Sequence, residues 1–284
     1  MHRVRTLLAV TALVLALVGV PGLAAGASAT PGNDGPTGAK VIGSLPYSVQ
    51  QNTTGATTSD LERKLAVSCG VETVRKGVWF KFTPGGNFTL RLSAANSTYS
   101  VGMMVTTGAP SNTKGMTCSD RPIFRDVTKG ATYWILAFAA KPGSTGGTLR
   151  LAATKAPALP TVTLAVTRGV AKPATGAARI FGTATCKGPG SQLEYLAVEV
   201  TQNPGTPKEA HGFGWLNMAA PSSNTPINWQ VDVLAQSSSG PGEPAITNPF
   251  EPGPATVNVV ATARTADGRT QDAFTSAVLT LTKP

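Results

Sequence analysis

Histidine is almost missing from this chain. There are two in 284 residues, and one of them, His2, lies in an N-terminal segment that reads as removable. A Ser-His-Asp or Cys-His system would therefore have to be built on His211 alone. No Gly-x-Ser-x-Gly elbow, no His-Glu-x-x-His and no phosphate-cradling glycine loop occurs. Glu209-Ala210-His211 offers two metal ligands with no obvious third. Charged residues make up 13% of the chain, and none of the 14 acids sits in a recognisable catalytic setting. An unrecognised carboxylate pair is then the one route left to hydrolytic chemistry. No catalytic residue is expected, and the chain reads as a non-enzyme.

Long apolar runs are also missing, apart from Leu7 to Val20. That run follows Arg3 and Arg5 and precedes Ala27-Ser28-Ala29, a small-x-small cleavage site. This is the pattern of a secretory signal peptide over residues 1–29. The run falls short of the ~20 residues needed to span a bilayer. No cysteine stands at the cleavage site for a lipid anchor, and Leu159-Pro160-Thr161 lacks the glycine of a sortase signal. A secreted, extracellular protein is expected, with no membrane association after cleavage.

Cysteine occurs three times. In an oxidising compartment Cys69 and Cys118 are expected to form a disulfide. By the chain-entropy argument, closing a loop of that length stabilises by about 4 kcal/mol. Cys186 shares a strand face with Ile180, Gly182 and Ala184, so a buried free thiol is expected, with intermolecular pairing as the alternative.

Sustained helical periodicity is missing as well, while glycine (31) and proline (22) are plentiful. The chain reads as all-β, and its length favours two domains. The first domain centres on Gly77-Val78-Trp79-Phe80-Lys81-Phe82-Thr83-Pro84. Val78, Phe80 and Phe82 alternate onto one face, Pro84 ends the strand, and Gly85-Gly86 turns the chain into Phe88, Leu90 and Leu92. The two runs read as a hairpin. Thr132 to Phe138 is apolar on both parities, as in a central strand covered on both sides, so Trp79 and Trp134 are expected in the core.

These segments, with Ser97 to Val105, Gly130 to Leu136 and Gly146-Gly147-Thr148-Leu149, resemble bacterial pre-peptidase C-terminal (PPC) domains over about residues 31–155. The resemblance implies a non-catalytic jelly-roll or sandwich module of the kind appended to secreted enzymes and related to collagen-binding modules. Some members of that family bind calcium near the start of the domain. The only acids nearby are Asp34, Asp60 and Glu62, which become the candidate calcium ligands. Ser100 stands where the family commonly has an acid, which weakens the transfer. Otherwise no cofactor is expected.

Residues 30–155 are thus assigned to a PPC-like β-sandwich, residues 156–160 to a Pro/Ala linker, and residues 161–284 to an immunoglobulin-like β-sandwich. The last assignment rests on alternating runs at 162–166, 180–186, 196–200, 227–233, 257–263 and 277–281. The run Gly182 to Cys186, Gln202, Trp229 and Pro249 to Ala255 also resemble an uncharacterised module of secreted actinobacterial proteins, which implies no activity. Residues 203–226 read as a long loop presenting His211, Trp215 and Met218, with Trp215 and His211 as candidate contacts. Residues 236–254 read as a mobile surface loop.

Charge is uneven. Residues 30–155 hold 14 basic and 6 acidic side chains, and residues 156–284 hold 8 of each. A field of that kind favours acidic polymers, and Arg63, Lys64, Arg75 and Lys76 are the candidate contacts. Nucleic acid is not expected, because the chain is exported and carries no nucleic-acid module. The sequence therefore reads as a monomeric binding or adhesion protein for cell-envelope polymer, extracellular matrix or polysaccharide. The alternative is an interaction protein that recognises itself or a co-secreted protein.

Overall fold

The computed structural model describes residues 28–172, 174–221, 223–236 and 248–284. The expected signal peptide lies outside the described residues except for its last two positions. The chain divides into two compact units between Ala156 and Pro157. Both are built mainly from strands, and among the described residues the exceptions are one short α-helix and a single 3-10 turn, Pro36–Gly38.

The first unit holds β1 (Lys40–Ile42), β2 (Tyr47–Asn52), α1 (Asp60–Ser68), β3 (Arg75–Phe82), β4 (Phe88–Ser93), β5 (Val101–Thr107), β6 (Thr117–Ser119), β7 (Ile123–Val127), β8 (Tyr133–Ala139) and β9 (Thr148–Lys155). The strands form two sheets, ordered β1-β3-β8-β5-β6 and β2-β9-β4-β7. The hairpin expected from the sequence is not formed, since β3 and β4 belong to different sheets. Phe80 pairs with Ile135 of β8, while Leu90 pairs with Arg125 of β7. Val78, Phe80 and Phe82 meet Leu90 and Leu92 across one shared core. As a hairpin, the two apolar sets would line the same side of one sheet and would need a further layer to cover them. Placed in opposite sheets, they cover each other.

A second core lies on the other side of the five-stranded sheet, where Leu65 and Ala66 of α1 pack with Trp79, Met104, Leu136 and Phe138. This cover explains why β3 and β8 are apolar on both parities. Trp79 is fully buried, whereas Trp134 is half-buried and donates from its indole to the Gly108 carbonyl at 3.1 Å. The helix itself was not anticipated from the sequence, although its start carries a signature. Ser59 and Glu62 form a reciprocal capping box ahead of Leu65. The Cys69–Cys118 disulfide, Cα to Cα 6.0 Å, ties the C-terminal end of α1 to β6.

The second unit holds β10 (Thr161–Lys172), β11 (Ala177–Lys187), β12 (Gln192–Gln202), β13 (Ala210–Pro221), β14 (Ser223–Gln236), β15 (Gly253–Arg264) and β16 (Thr270–Thr282). Their ladders close in the order β10-β11-β14-β13-β12-β15-β16, with Gly169 of β10 running parallel beside Leu281 of β16 to complete the ring. Ile180, Val198, Val200, Trp229, Val231, Val257 and Val259 fill the interior. Cys186 is buried with them and lies 3.6 Å from the Ser191 hydroxyl.

Two loop expectations change here. Residues 210–221 and 223–226 are strand, so only 203–209 remain as connection between β12 and β13. The alternation of β13 escapes notice because glycine fills two of its inward positions, between Ala210 and the core-packed Leu216, Met218 and Ala220. A Cβ on Gly212 would stand 2.4 Å from the Leu234 carbonyl oxygen, and one on Gly214 would stand 2.6 Å from that of Asp232. At Gly212 and Gly214 the strand passes so close to β14 that no inward side chain fits. Most of the expected loop at 236–254 lies outside the described residues. Its described end is anchored: Phe250 is fully buried, and Gln202 and Glu251 exchange hydrogen bonds.

Candidate functional site

Three of the four basic candidates in the first unit meet at one cleft. Arg63, Arg75 and Lys76 line a concavity of about 650 Å3 together with Glu72 and the hydroxyl-bearing Thr73 and Ser144. Lys64 is not part of its lining. Arg63 comes from α1, where it pairs with Asp60 at 3.1 Å, an exposed contact of little strength. Arg75 and Lys76 come from the start of β3, where the register against β8 slips between Arg75 and Val78. Lys76 there adopts a φ of 56°, in the left-handed region. Such bulges redirect side chains out of the ladder, and here the redirected chains border the cleft.

The three carboxylates expected to hold calcium are engaged separately. Asp34 accepts from the Thr57 amide and hydroxyl, both at 2.6 Å. Asp60 lies exposed against Arg63. Glu62 is fully buried, its Oε2 accepting from the Ser59 amide at 2.8 Å and its Oε1 from the Trp79 indole at 2.9 Å. Both oxygens of Glu62 are thus occupied by N–H donors, and the three residues do not converge into a donor set for a hard cation. Among the described residues no group of three or more His, Cys, Asp or Glu side chains gathers. Burial pushes the Glu62 carboxyl up from its ordinary pKa, against the pull of the Ser59 and Trp79 hydrogen bonds.

The candidates of the second unit, His211 and Trp215, share the outward face of β13 with Phe213 between them. Register lines run from this strand across three neighbours. Trp215 stands opposite Ala197, then Val260, then Phe274; Phe213 stands opposite Glu199, then Asn258, then Ser276. A third line joins Asn217, Tyr195, Thr262 and Asp272, and a fourth joins His211, Thr201, Thr256 and Val278. Trp215 is 68% exposed and Phe274 67%. The Phe213 and Trp215 rings lie 6.3 Å apart.

Along the Phe213 line, beside that of Trp215, runs a chain of hydrogen bonds. Glu199 pairs through Oε1 with His211 Nε2 at 2.8 Å and accepts from Asn258 Nδ2 at 3.1 Å, and Asn258 Oδ1 accepts from the Ser276 hydroxyl at 2.8 Å. The His211 contact, then that of Asn258, holds the Glu199 carboxyl below its ordinary pKa. Sequence reasoning missed Tyr195, Glu199, Asn258 and Phe274. The available signal was aromatic residues at outward positions of strands whose inward sets, such as Leu196, Val198 and Val200, were already recognised.

No family model and no curated protein matches the chain. Distant likenesses exist among solved structures. The ApaA protein of Bordetella pertussis is 14% identical, with 44% of this chain and 96% of that one covered at a TM-score of 0.25. DesR, a β-glucosidase of Streptomyces venezuelae, is 9% identical, with 73% and 46% covered at 0.27. β-Glucuronidase 2 of Bacteroides uniformis is 12% identical, with 72% and 26% covered at 0.20. The chain spans less than half of either glycosidase, and superpositions this loose bear on no function.

Proposed function

We propose that this chain is a secreted, non-enzymatic binding protein whose first unit holds an acidic polymer of the cell envelope or extracellular matrix. The observation that carries the reading is the cleft where Arg63, Arg75 and Lys76 meet among hydroxyl side chains. The unit around it carries 14 basic residues against 6 acidic ones, a field that draws an anionic chain toward the cleft. The bulge at Lys76 supports the same reading, because left-handed backbone at a non-glycine residue persists where its surroundings require it.

The two units are read as a jelly-roll or PPC-like sandwich followed by an immunoglobulin-like sandwich. For the second, the support is strand number: seven strands in about 125 residues enclose one interior, the number of a constant-type immunoglobulin domain, with ladders that here close into a ring. The test is co-sedimentation of the mature chain with an anionic cell-envelope polymer. Retention should fall as salt rises and should fall again when Arg63, Arg75 and Lys76 are replaced by glutamine. Salt-independent retention, or retention untouched by those substitutions, would overturn the reading.

A further inference from the structure

The outward face of β13-β12-β15-β16 concentrates what the remaining surface lacks. Nine large hydrophobic side chains are exposed among the described residues, and the four aromatic ones, Tyr195, Phe213, Trp215 and Phe274, all stand on this face. An exposed apolar patch with polar surroundings marks a place where something binds. Here the patch has a defined layout. Trp215 and Phe274 occupy the two ends of a single register line, separated by Ala197 and Val260, which are buried or half-buried and leave a low floor. Three strand-to-strand steps place the two aromatic positions roughly 14 Å apart.

The floor beside that line is polar and already ordered. Glu199, Asn258 and Ser276 are linked to one another and to His211, so their remaining donor and acceptor capacity is held in fixed directions. Thr262 donates to Asp272 at 2.6 Å on the other flank. The four register lines contain no lysine or arginine. Such a face offers nothing to an anionic polymer, and its carboxylates would repel one. It also departs from the core of a stable protein interface, from which charged residues are depleted, because Glu199 lies in its middle.

We infer that this face is a binding platform for an uncharged polysaccharide chain, with sugar rings stacked on Trp215 and Phe274 and hydroxyl groups hydrogen-bonded to the Glu199-Asn258-Ser276 line. Each element has a chemical reason. The apolar C–H face of a pyranose ring packs on an aromatic ring, while its equatorial hydroxyls need donors and acceptors beside that ring. A span bracketed by two aromatics suits a chain of several sugars and not a single ring. This site is separate from the basic cleft, and its ligand differs from that of the cleft in charge.

The test uses the full mature chain with cellulose, chitin and a soluble neutral glucan as probes. Retention on at least one of them is expected, unchanged by salt, together with a shift of tryptophan emission on adding the soluble glucan. Trp215→Ala and Phe274→Ala should each weaken retention about tenfold or more, as loss of a central aromatic contact does, and Trp215→Ala should abolish the emission shift. Both side chains point to solvent, so thermal unfolding should stay as in the wild type. Val67→Ser, at an exposed valine of the first unit, should leave retention unchanged. Glutamine at Arg63, Arg75 and Lys76 should remove anionic-polymer binding and spare neutral-glycan binding, which separates failure of this inference from failure of the cleft. The inference is overturned if no neutral polysaccharide is retained, or if both aromatic variants bind like the wild type. It is equally overturned if the face instead drives a dimer that Trp215→Ala dissociates.

Discussion

The Trp79 indole donates to the Glu62 carboxylate at 2.9 Å, and both side chains are fully buried between α1 and the five-stranded sheet. Room for this contact comes from Gly77, where a Cβ would lie 2.6 Å from Glu62 Oε1. A single glycine in β3 thus lets a capping carboxylate of α1 reach into the sheet and hold the helix on it.

Replacing Trp79 by phenylalanine should destabilise the first unit by about 1–3 kcal/mol, the cost of leaving a buried acceptor unpaired. Glu62→Ala should cost at least as much, because it strands both the indole N–H and the Ser59 amide. Urea unfolding monitored by circular dichroism measures both, and a change below a few tenths of a kcal/mol for either would contradict the arrangement.

The disulfide restrains a different part of the same helix. Replacing Cys69 and Cys118 together by alanine should lower stability by about 2–5 kcal/mol, the range expected for a native bridge. The loss should appear as a lower urea midpoint for the first unit and no change for the second.

In the second unit, Gly214→Val should be severe although it adds an apolar side chain to an apolar interior. The new Cβ would meet the Asp232 carbonyl at 2.6 Å and Val231 Cγ1 at 2.7 Å. Overpacking of this kind costs about 1–3 kcal/mol, measurable as a drop in the melting temperature of that unit. Gly205→Val, in a connection where nothing lies within 4 Å, should avoid this clash and lose only what its φ of 72° imposes.

Acid should cost the second unit more stability than the first. The Arg179 hydrogen bond, opposed by burial and aided by Lys172, holds the Asp232 carboxyl down at about 2. Hydrogen bonds to His211 and Asn258 lower Glu199, and at Asp267 burial is outweighed by bonds from Arg269 and Thr265. Folded-state values below the unfolded ones mean that these groups stabilise above the unfolded carboxylate range, and that their contribution disappears as pH falls through the folded values. Glu62 is raised by burial, so its contribution is present in acid and lost as pH climbs past its folded value. Between about pH 5 and pH 2 the second unit should therefore lose more stability than the first. Asp232 is 44% exposed, so solvent screening keeps its share modest. Hydrogen exchange resolved by unit reads the difference, and equal losses would contradict it.

The all-strand character was legible because alternation and turn residues speak locally. The Val78-Phe80-Phe82 and Val257-Val259-Ala261 sets announce their faces without reference to any partner. Pairing was less legible. Nothing local distinguishes a hairpin from two strands that cross between sheets, and β3 and β4 became partners across a core instead of along a ladder. The helix was hidden by its nine residues, too short to show a period, although Ser59 and Glu62 marked its start. At the candidate surfaces, His211 and Trp215 stood out as unusual residues in a glycine-rich stretch. Their companions Phe274 and Asn258 are distant in sequence and join them only through strand register.

The most direct test of the account is retention of the mature chain on an anionic cell-envelope polymer across a salt series, with wild type beside the glutamine triple variant at Arg63, Arg75 and Lys76. The account predicts that the logarithm of wild-type affinity falls steadily with the logarithm of salt concentration, and that the variant starts weaker with a shallower slope. Identical slopes and affinities for the two proteins would contradict it.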